Sequence, residues 1–266
     1  MLNATFQCFT GIGENAECRL WEHGCLCWRD FLNGAGDFLS HKKQQLVKSQ
    51  IEEARIALAS GMADWFLNRL KGAAQLRVLN DFAEDTLFLD IETTGLRHTD
   101  EVTAIATWKN GTANCFVKGI NLSDFLHEAM QTRLLVTYNG ERFDLPLLRR
   151  CFNIDLALPH LDMRIPLQSL GYRGGLKKCE KQLNFQRSFA PESDGADAVQ
   201  LWQQWRNKTD HQSLRRLILY NIEDAYSLAW LAGRLQPRSM PNFPMAKKAE
   251  LPPRPVASEI LPHFAL

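Results

Sequence analysis

Asp90 and Glu92 sit one residue apart in Thr86-Leu87-Phe88-Leu89-Asp90-Ile91-Glu92, an apolar run that reads as a buried central strand. Side chains along a strand alternate faces, so these two carboxylates point the same way. Like charges on a buried face repel each other and lose hydration. A divalent cation removes both penalties, so the chemistry of this pair is metal binding. Thr93-Thr94-Gly95 then turns the chain at the strand end, where open α/β sheets place their ligand sites. With Phe88, Leu89 and Ile91 around them, the two acids do not read as a turn cap and an exposed neighbour.

Two more acids lie far along the chain. Asp144 follows a short apolar strand, Leu134 to Tyr138, and opens a helix from Leu145 to Cys151 with Pro146 in its first turn. By itself it reads as a helix N-cap. Asp224 stands four residues after Tyr220 in Tyr220-Asn221-Ile222-Glu223-Asp224. Helix positions four apart share a face, so Tyr220 and Asp224 project together, and Glu223 is expected to point away into solvent. Asp162 and Asp197 compete for the same roles, but such residues more often cap helices or bind backbone amides.

The elements that must position these groups form an α/β domain over residues 81–236. Val102 to Trp108 and Asn114 to Lys118 flank Asn110-Gly111, a tight hairpin signal. Leu122 to Met130 reads as a short helix, and the chain from Leu176 to Leu235 as mainly helical. A hairpin-bearing sheet followed by strand–helix units predicts a mixed sheet flanked by helices. Residues 1–80 read as a helical N-terminal region. There Val47, Ile51, Ala54, Leu58, Met62, Trp65 and Leu70 predict one long amphipathic helix entered at Ser40. Residues 237–266 carry Pro237, Pro241, Pro244, Pro252, Pro253, Pro255 and Pro262, and read as a solvated tail without regular structure.

Taken together, the three acid segments resemble the DEDD group of 3′–5′ exonucleases, within the ribonuclease-H-like superfamily. Phe88 to Leu96 resembles the group's first motif, with its Asp-x-Glu. Asn139-Gly140-Glu141-Arg142-Phe143-Asp144-Leu145-Pro146 is similar to the second, in the form found in family B polymerase proofreading domains. Tyr220 to Asp224 is similar to the third, Tyr-x-x-x-Asp. Leu219 stands where a second subtype has His, so the chain resembles the tyrosine subtype. Gly174 to Glu180, Asp194 to Val199 and the Tyr220 block resemble YprB-type exonuclease-like domains. The resemblance covers about residues 82–235. It implies a ribonuclease-H-like, mixed five-stranded sheet flanked by helices.

It also implies a metal-dependent 3′–5′ exonuclease acting on nucleic acid, DNA or RNA, at a single-stranded 3′ end. Four oxygen donors without a matching His or Cys set favour a hard cation such as magnesium or manganese, and the resemblance implies two such ions. By resemblance Asp90 bridges the ions, Glu92 and Asp224 complete the first, Asp144 serves the second, and Tyr220 orients the attacking water. Thr93, Thr94, Asn139 and Phe143 are expected to touch the nucleic acid. The alternatives are an endonuclease of the same fold and a non-catalytic nucleic-acid-binding scaffold.

Other signals are local. Gly11-Ile12-Gly13 ahead of a helical stretch resembles a helix-hairpin-helix element, whose glycine amides would approach a phosphate. Lys177 and Lys178 follow Gly174-Gly175 at a helix start and can reach phosphates; a solvated helix face is the plainer reading. The formal net charge is +1, so nucleic-acid contact must come from such patches and from ions. Of the seven cysteines, Cys8, Cys18, Cys25 and Cys27 crowd the start, but no Cys-x-x-Cys pair exists and buried thiols are expected. No apolar run is long enough for a bilayer, and the first residues lack a secretory pattern. A cytoplasmic protein without membrane contact is expected, with a protein partner conceivable at the N-terminal region or the tail.

Overall fold

The computed structural model describes residues 1–95, 97, 99–154, 157–189, 195–244 and 251–261. Leu96 of the first motif and Asp194 of the YprB-like pattern lie outside the described residues. Five strands form one mixed sheet in the order β3-β2-β1-β4-β5. They are β1 (Thr86–Thr93), β2 (Val102–Lys109), β3 (Thr112–Val117), β4 (Leu134–Thr137) and β5 (His160–Asp162). The β1–β2 and β2–β3 pairs are antiparallel, and β4 and β5 run parallel to β1. Asn110 and Gly111 close the β2–β3 hairpin with positive φ at both residues, 50° and 83°. That is the backbone an Asn-Gly two-residue turn supplies at low cost.

The helices used below are α1 (Glu14–Glu22), α2 (His41–Ala59), α3 (Ala63–Leu67), α4 (Phe125–Met130), α5 (Asp144–Phe152), α6 (Arg164–Ser169), α7 (Leu176–Gln182), α8 (Gly195–Lys208), α9 (His211–Leu235) and α10 (Ala257–Ile260). One sheet face is mainly apolar, with buried Thr103 and Thr107 among its residues. Leu87, Leu89, Ile91, Ile105 and Leu135 pack there with Phe125 and Ala129 of α4 and Leu145, Leu147 and Leu148 of α5. The opposite face presents Ala104, Ala106, Cys115 and Val117 to Leu217, Ile218, Tyr220 and Ile222 of α9. Asp90 and Glu92 belong to this second face. Their cross-strand partners on β2 are Ala106 and Ala104, whose small side chains leave room beside the carboxylates.

The expected long helix is two. α2 begins after Ser40, which is in the N-cap position, but it ends at Ala59, and α3 starts afresh at Ala63. Gly61 takes φ +69°, its amide bonds Leu58 O at 3.1 Å, and the Met62 amide bonds Ala57 O at 2.9 Å. This paired 5→2 and 6→1 pattern terminates a helix and needs the left-handed conformation that glycine adopts most readily.

The tail also departs from expectation. Its described part packs on the domain. Pro252 O accepts the Tyr226 hydroxyl at 3.1 Å, and Ile260 and Leu261 bury against the α8–α9 core. Proline bars an α-helix over most of this stretch, but apolar residues between the prolines still gain by burial. Pro262 and residues 245–250 lie outside the described residues.

The N-terminal helices share one continuous core with the sheet. Phe6, Trp28, Ile51 and Phe66 cluster with Leu134, Val136, Leu161 and Leu231. Arg77 and Glu17, 1% and 0% exposed, form an ion pair at 2.8 Å inside that core. Cys8 and Cys25 are buried thiols, and among the described residues the early cysteines form no group of three metal donors.

Candidate active site

Three chain segments meet at the C-terminal half of β1. Ligand oxygens of Asp90, Glu92 and Asp224 all lie within 4.8 Å of one another. Strand alternation aims the first two at α9, and Asp224 comes from the middle of α9. A register shift between Glu92 and Thr93 ends the regular β1–β2 pairing at this point. Such bulges re-aim side chains and are common beside active sites. Asp144, the first residue of α5, is buried and close enough to raise the proton affinities of Asp90 and Glu92.

The electrostatics follow from this crowding. Asp90 and Glu92 are held well above the usual carboxylate range, first by burial and next by the charge of Asp224. Burial pushes Asp144 up to about 7, opposed by backbone amide hydrogen bonds and reinforced by Asp162. Asp224 rises to about 6, again chiefly by burial, with Arg187 pulling the other way. Acids whose folded pKa is raised keep extra protons in the folded state, so their contribution to stability is lost as pH climbs from about 4 through these values. In EDTA, Asp144→Asn is therefore expected to melt at a higher temperature than the wild type at pH 8. The gap should close near pH 4, and thermal scans at both pH values check this.

Neighbours complete the site. Asn221, fully buried on α9, donates from Nδ2 to Asp90 Oδ2 at 2.8 Å and so fixes that carboxylate. Tyr220 is 3% exposed. Lys177 of α7 donates to its hydroxyl, and the Lys177 ammonium lies 4.1 Å from its ring centroid. Burial and the nearby acids push the Tyr220 phenol far above its normal range, so it holds its proton. Arg187 forks onto Glu180 of α7, Nε to Oε2 at 2.8 Å and Nη2 to Oε1 at 2.7 Å, and Nη2 also reaches Asp224.

Five carboxyls (Asp90, Glu92, Asp144, Asp224 and Glu180) thus face two cationic side chains, Lys177 and Arg187. The two cations do not neutralise the cluster. The donors are all carboxylate oxygens, which suits a hard divalent ion and gives no purchase to a thiolate- or imidazole-binding one.

Several expectations meet a different outcome. Glu223 is not solvated; it is 2% exposed and accepts the backbone amides of Ser188 and Phe189. Helix α9 is buried on every side from Tyr220 to Ala229, so it has no wet face there. Asp162, by contrast, binds backbone amides as expected, accepting the Asn139 and Arg164 N–H groups at 2.7 and 2.9 Å. Asp197 lies in the first turn of α8.

Thr93 donates to Gly95 O at 2.5 Å, and Thr94 bonds Asp100 and the Glu101 amide, so both hydroxyls serve the loop after β1. Asn139, at φ 60°, accepts from Arg164 at 2.7 Å, and Phe143 packs half-buried on the α5 face of the sheet. Of the two lysines only Lys177 turns to the acids; Lys178 is exposed. Gly11 and Gly13 precede α1, and Gly13 is its N-cap. What comes before them is a single 3₁₀ turn, Leu2–Ala4, not an α-helix, so the two-helix hairpin is absent. The two glycines border a cavity of about 350 Å³ that Arg69 and Lys71 also line.

Arg187, Glu180 and Asn221 were not among the residues anticipated from the sequence as site residues. Asn221 had a readable signal, since it lies three residues before Asp224 and shares its face. Glu180 had one too, three residues after Lys177 on the same helix, whereas Arg187 had none.

Gly140 sets the approach of the second motif to the sheet. A Cβ there would lie 1.9 Å from Thr137 Oγ1. Gly140→Ala is expected to cost about 1–3 kcal/mol by overpacking, read as a lower urea midpoint.

Among known structures, the chain is similar to the family B DNA polymerase from the hyperthermophilic archaeon Pyrobaculum calidifontis. The TM-score is 0.42 and the identity 15%, over 62% of this chain and 26% of that one. The chain thus spans about a quarter of the polymerase's length. No curated protein matches it. Among the described residues, no helix is long and apolar enough to cross a membrane. All but the first residue of the acid-bearing strand, the hairpin beside it and the whole of the long closing helix fall within residues 87–236, the stretch matched by the family model RNase_H_2, and on that match the chain belongs to the RNase_H superfamily.

Proposed function

We propose that this protein is a metal-dependent 3′–5′ exonuclease of the DEDD tyrosine subtype, YprB-type, acting on single-stranded nucleic acid. One observation carries the reading: Asp90, Glu92 and Asp224, from a strand and a helix far apart in sequence, bring their oxygens within 4.8 Å of one another. An acid cluster this enclosed destabilises the fold unless it has work to do. Asp90, Glu92, Asp144 and Asp224 would hold two magnesium or manganese ions. Such a pair, when bound, stabilises charge on the attacking and leaving oxygens of a phosphodiester displacement.

The chain's own groups then have definite tasks. Asn221 fixes Asp90 by its 2.8 Å hydrogen bond, so the carboxylate needs no reorganisation. Tyr220 keeps its proton and orients water by hydrogen bonding; it does not act as the base. Lys177 holds that hydroxyl in place and adds positive charge for the phosphate. Contact of Thr93, Thr94, Asn139 and Phe143 with nucleic acid is part of the proposal. Gly11 and Gly13, with Arg69 and Lys71 nearby, are the proposed second phosphate contact.

Tyr220→Phe is expected to lower kcat while leaving measurable turnover, because positioning is lost and the acids stay. Steady-state rates at saturating Mn²⁺ check this. The reading itself is tested with 3′- and 5′-labelled single-stranded DNA and RNA in Mg²⁺ or Mn²⁺. A ladder shortening from the 3′ end is expected. Internal fragments would point instead to an endonuclease, and intact substrate would refute nuclease activity.

A further inference from the structure

Arg187 is built into the edge of the acid cluster more firmly than a stray ion pair requires. Its Nε and Nη2 fork onto both oxygens of Glu180, which is 2% exposed. Glu223 accepts the amides of Ser188 and Phe189 and so pins the stretch that carries it. The Arg187 side chain is 6% exposed. Yet its Nη1, buried, has no hydrogen-bond partner among the described residues. An enclosed cationic donor left without an acceptor is unfavourable, and each such group in a native fold calls for a reason.

We propose that Arg187 is a phosphate-gripping residue of this site. Asp224 holds its Nη2 while the acids carry no ion, and Nη1 and Nη2 take non-bridging oxygens of the scissile phosphodiester once ions claim Asp224. The inference rests on the nuclease reading above. Glu180 anchors the guanidinium in both states, because the fork through Nε and Nη2 fixes its plane. A guanidinium stays charged at all working pH values and offers paired donors that match a phosphate. It competes with a divalent ion for Asp224 because both draw on the negative charge of that one carboxylate. Pinning by Glu223 limits the exchange to side-chain torsions.

Mn²⁺ calorimetry and oligonucleotide turnover at saturating Mn²⁺, on the full chain, test this. Arg187→Gln should bind Mn²⁺ about tenfold more tightly, as the competitor is gone. Its kcat should nonetheless fall about a hundredfold, as the grip is gone. Glu180→Gln frees Arg187 to commit to Asp224, so Mn²⁺ binding should weaken about tenfold. Arg187→Lys keeps the charge without the fork and should still lose kcat; with Glu180→Gln it carries the test should Arg187→Gln fail to fold. Opposite shifts in Mn²⁺ affinity are the signature, since a purely structural Arg187 would move only the melting temperature. Wild-type Mn²⁺ affinity in Glu180→Gln, or wild-type kcat in Arg187→Lys, overturns the assignment. A wild-type protein that neither binds Mn²⁺ nor cleaves refutes the nuclease reading instead.

Discussion

Asp90→Asn is expected to abolish metal-dependent hydrolysis, by on the order of a thousandfold or more, while the metal-free protein folds and gains stability at neutral pH. The two halves of this expectation have one cause. Asp90 is raised by burial, then by Asp224, Glu92 and Asp144, so its charge is disfavoured until a cation arrives. An amide of the same shape removes that repulsion and removes the ligand. It also keeps an oxygen for Asn221 Nδ2, which now donates at 2.8 Å. Turnover assays and EDTA thermal scans on one preparation separate this from simple unfolding. Lost activity with a lower melting temperature at pH 8 would mean that the carboxylate is structural.

The second large effect lies away from the site. Arg77→Met is expected to destabilise the protein by about 3–5 kcal/mol, because it strands a buried carboxylate. Arg77 donates from Nη1 to both Glu17 oxygens at 2.8 and 2.9 Å, and from Nε and Nη2 to Ser239 O at 2.9 and 2.5 Å. Glu17 in turn accepts the Phe6 and Gln7 amides at 2.6 and 3.1 Å. Three distant stretches of chain are joined by this one fully buried pair. Replacing the arginine leaves buried Glu17 without its cation and Ser239 O without its donor, and urea unfolding with an unchanged m-value would measure the loss. A shift below about 1 kcal/mol would contradict this account, since that is the scale of an exposed pair.

The sheet was largely legible in the sequence because its signals are local. The apolar run through Leu87, Leu89 and Ile91, the Asn110-Gly111 turn and the Leu134 to Thr137 run each encode a strand or a hairpin within a few residues. The break after Ala59 was not legible from periodicity. Leu58, Met62 and Trp65 continue near helical spacing across it, and the decisive fact is a backbone angle at Gly61. The acid cluster could be assembled because alternation and helix pitch fix which side chains share a face within each motif, and the family resemblance joined the three motifs. Glu223 was misread for the complementary reason. A helix buried all round has no solvated face, and that depends on packing partners distant in sequence. Arg187 meets Glu180 and Asp224 only in the folded chain, so no spacing rule announces it.

The central claim is that divalent ions sit between Asp90, Glu92 and Asp224. Anomalous diffraction from crystals of this protein grown with Mn²⁺ addresses it directly. Peaks within coordinating distance of the Asp90 carboxylate, absent in Asp90→Asn crystals, are the expected result. A map in which Arg187 still holds Asp224 and no peak lies near Asp90 would contradict the account.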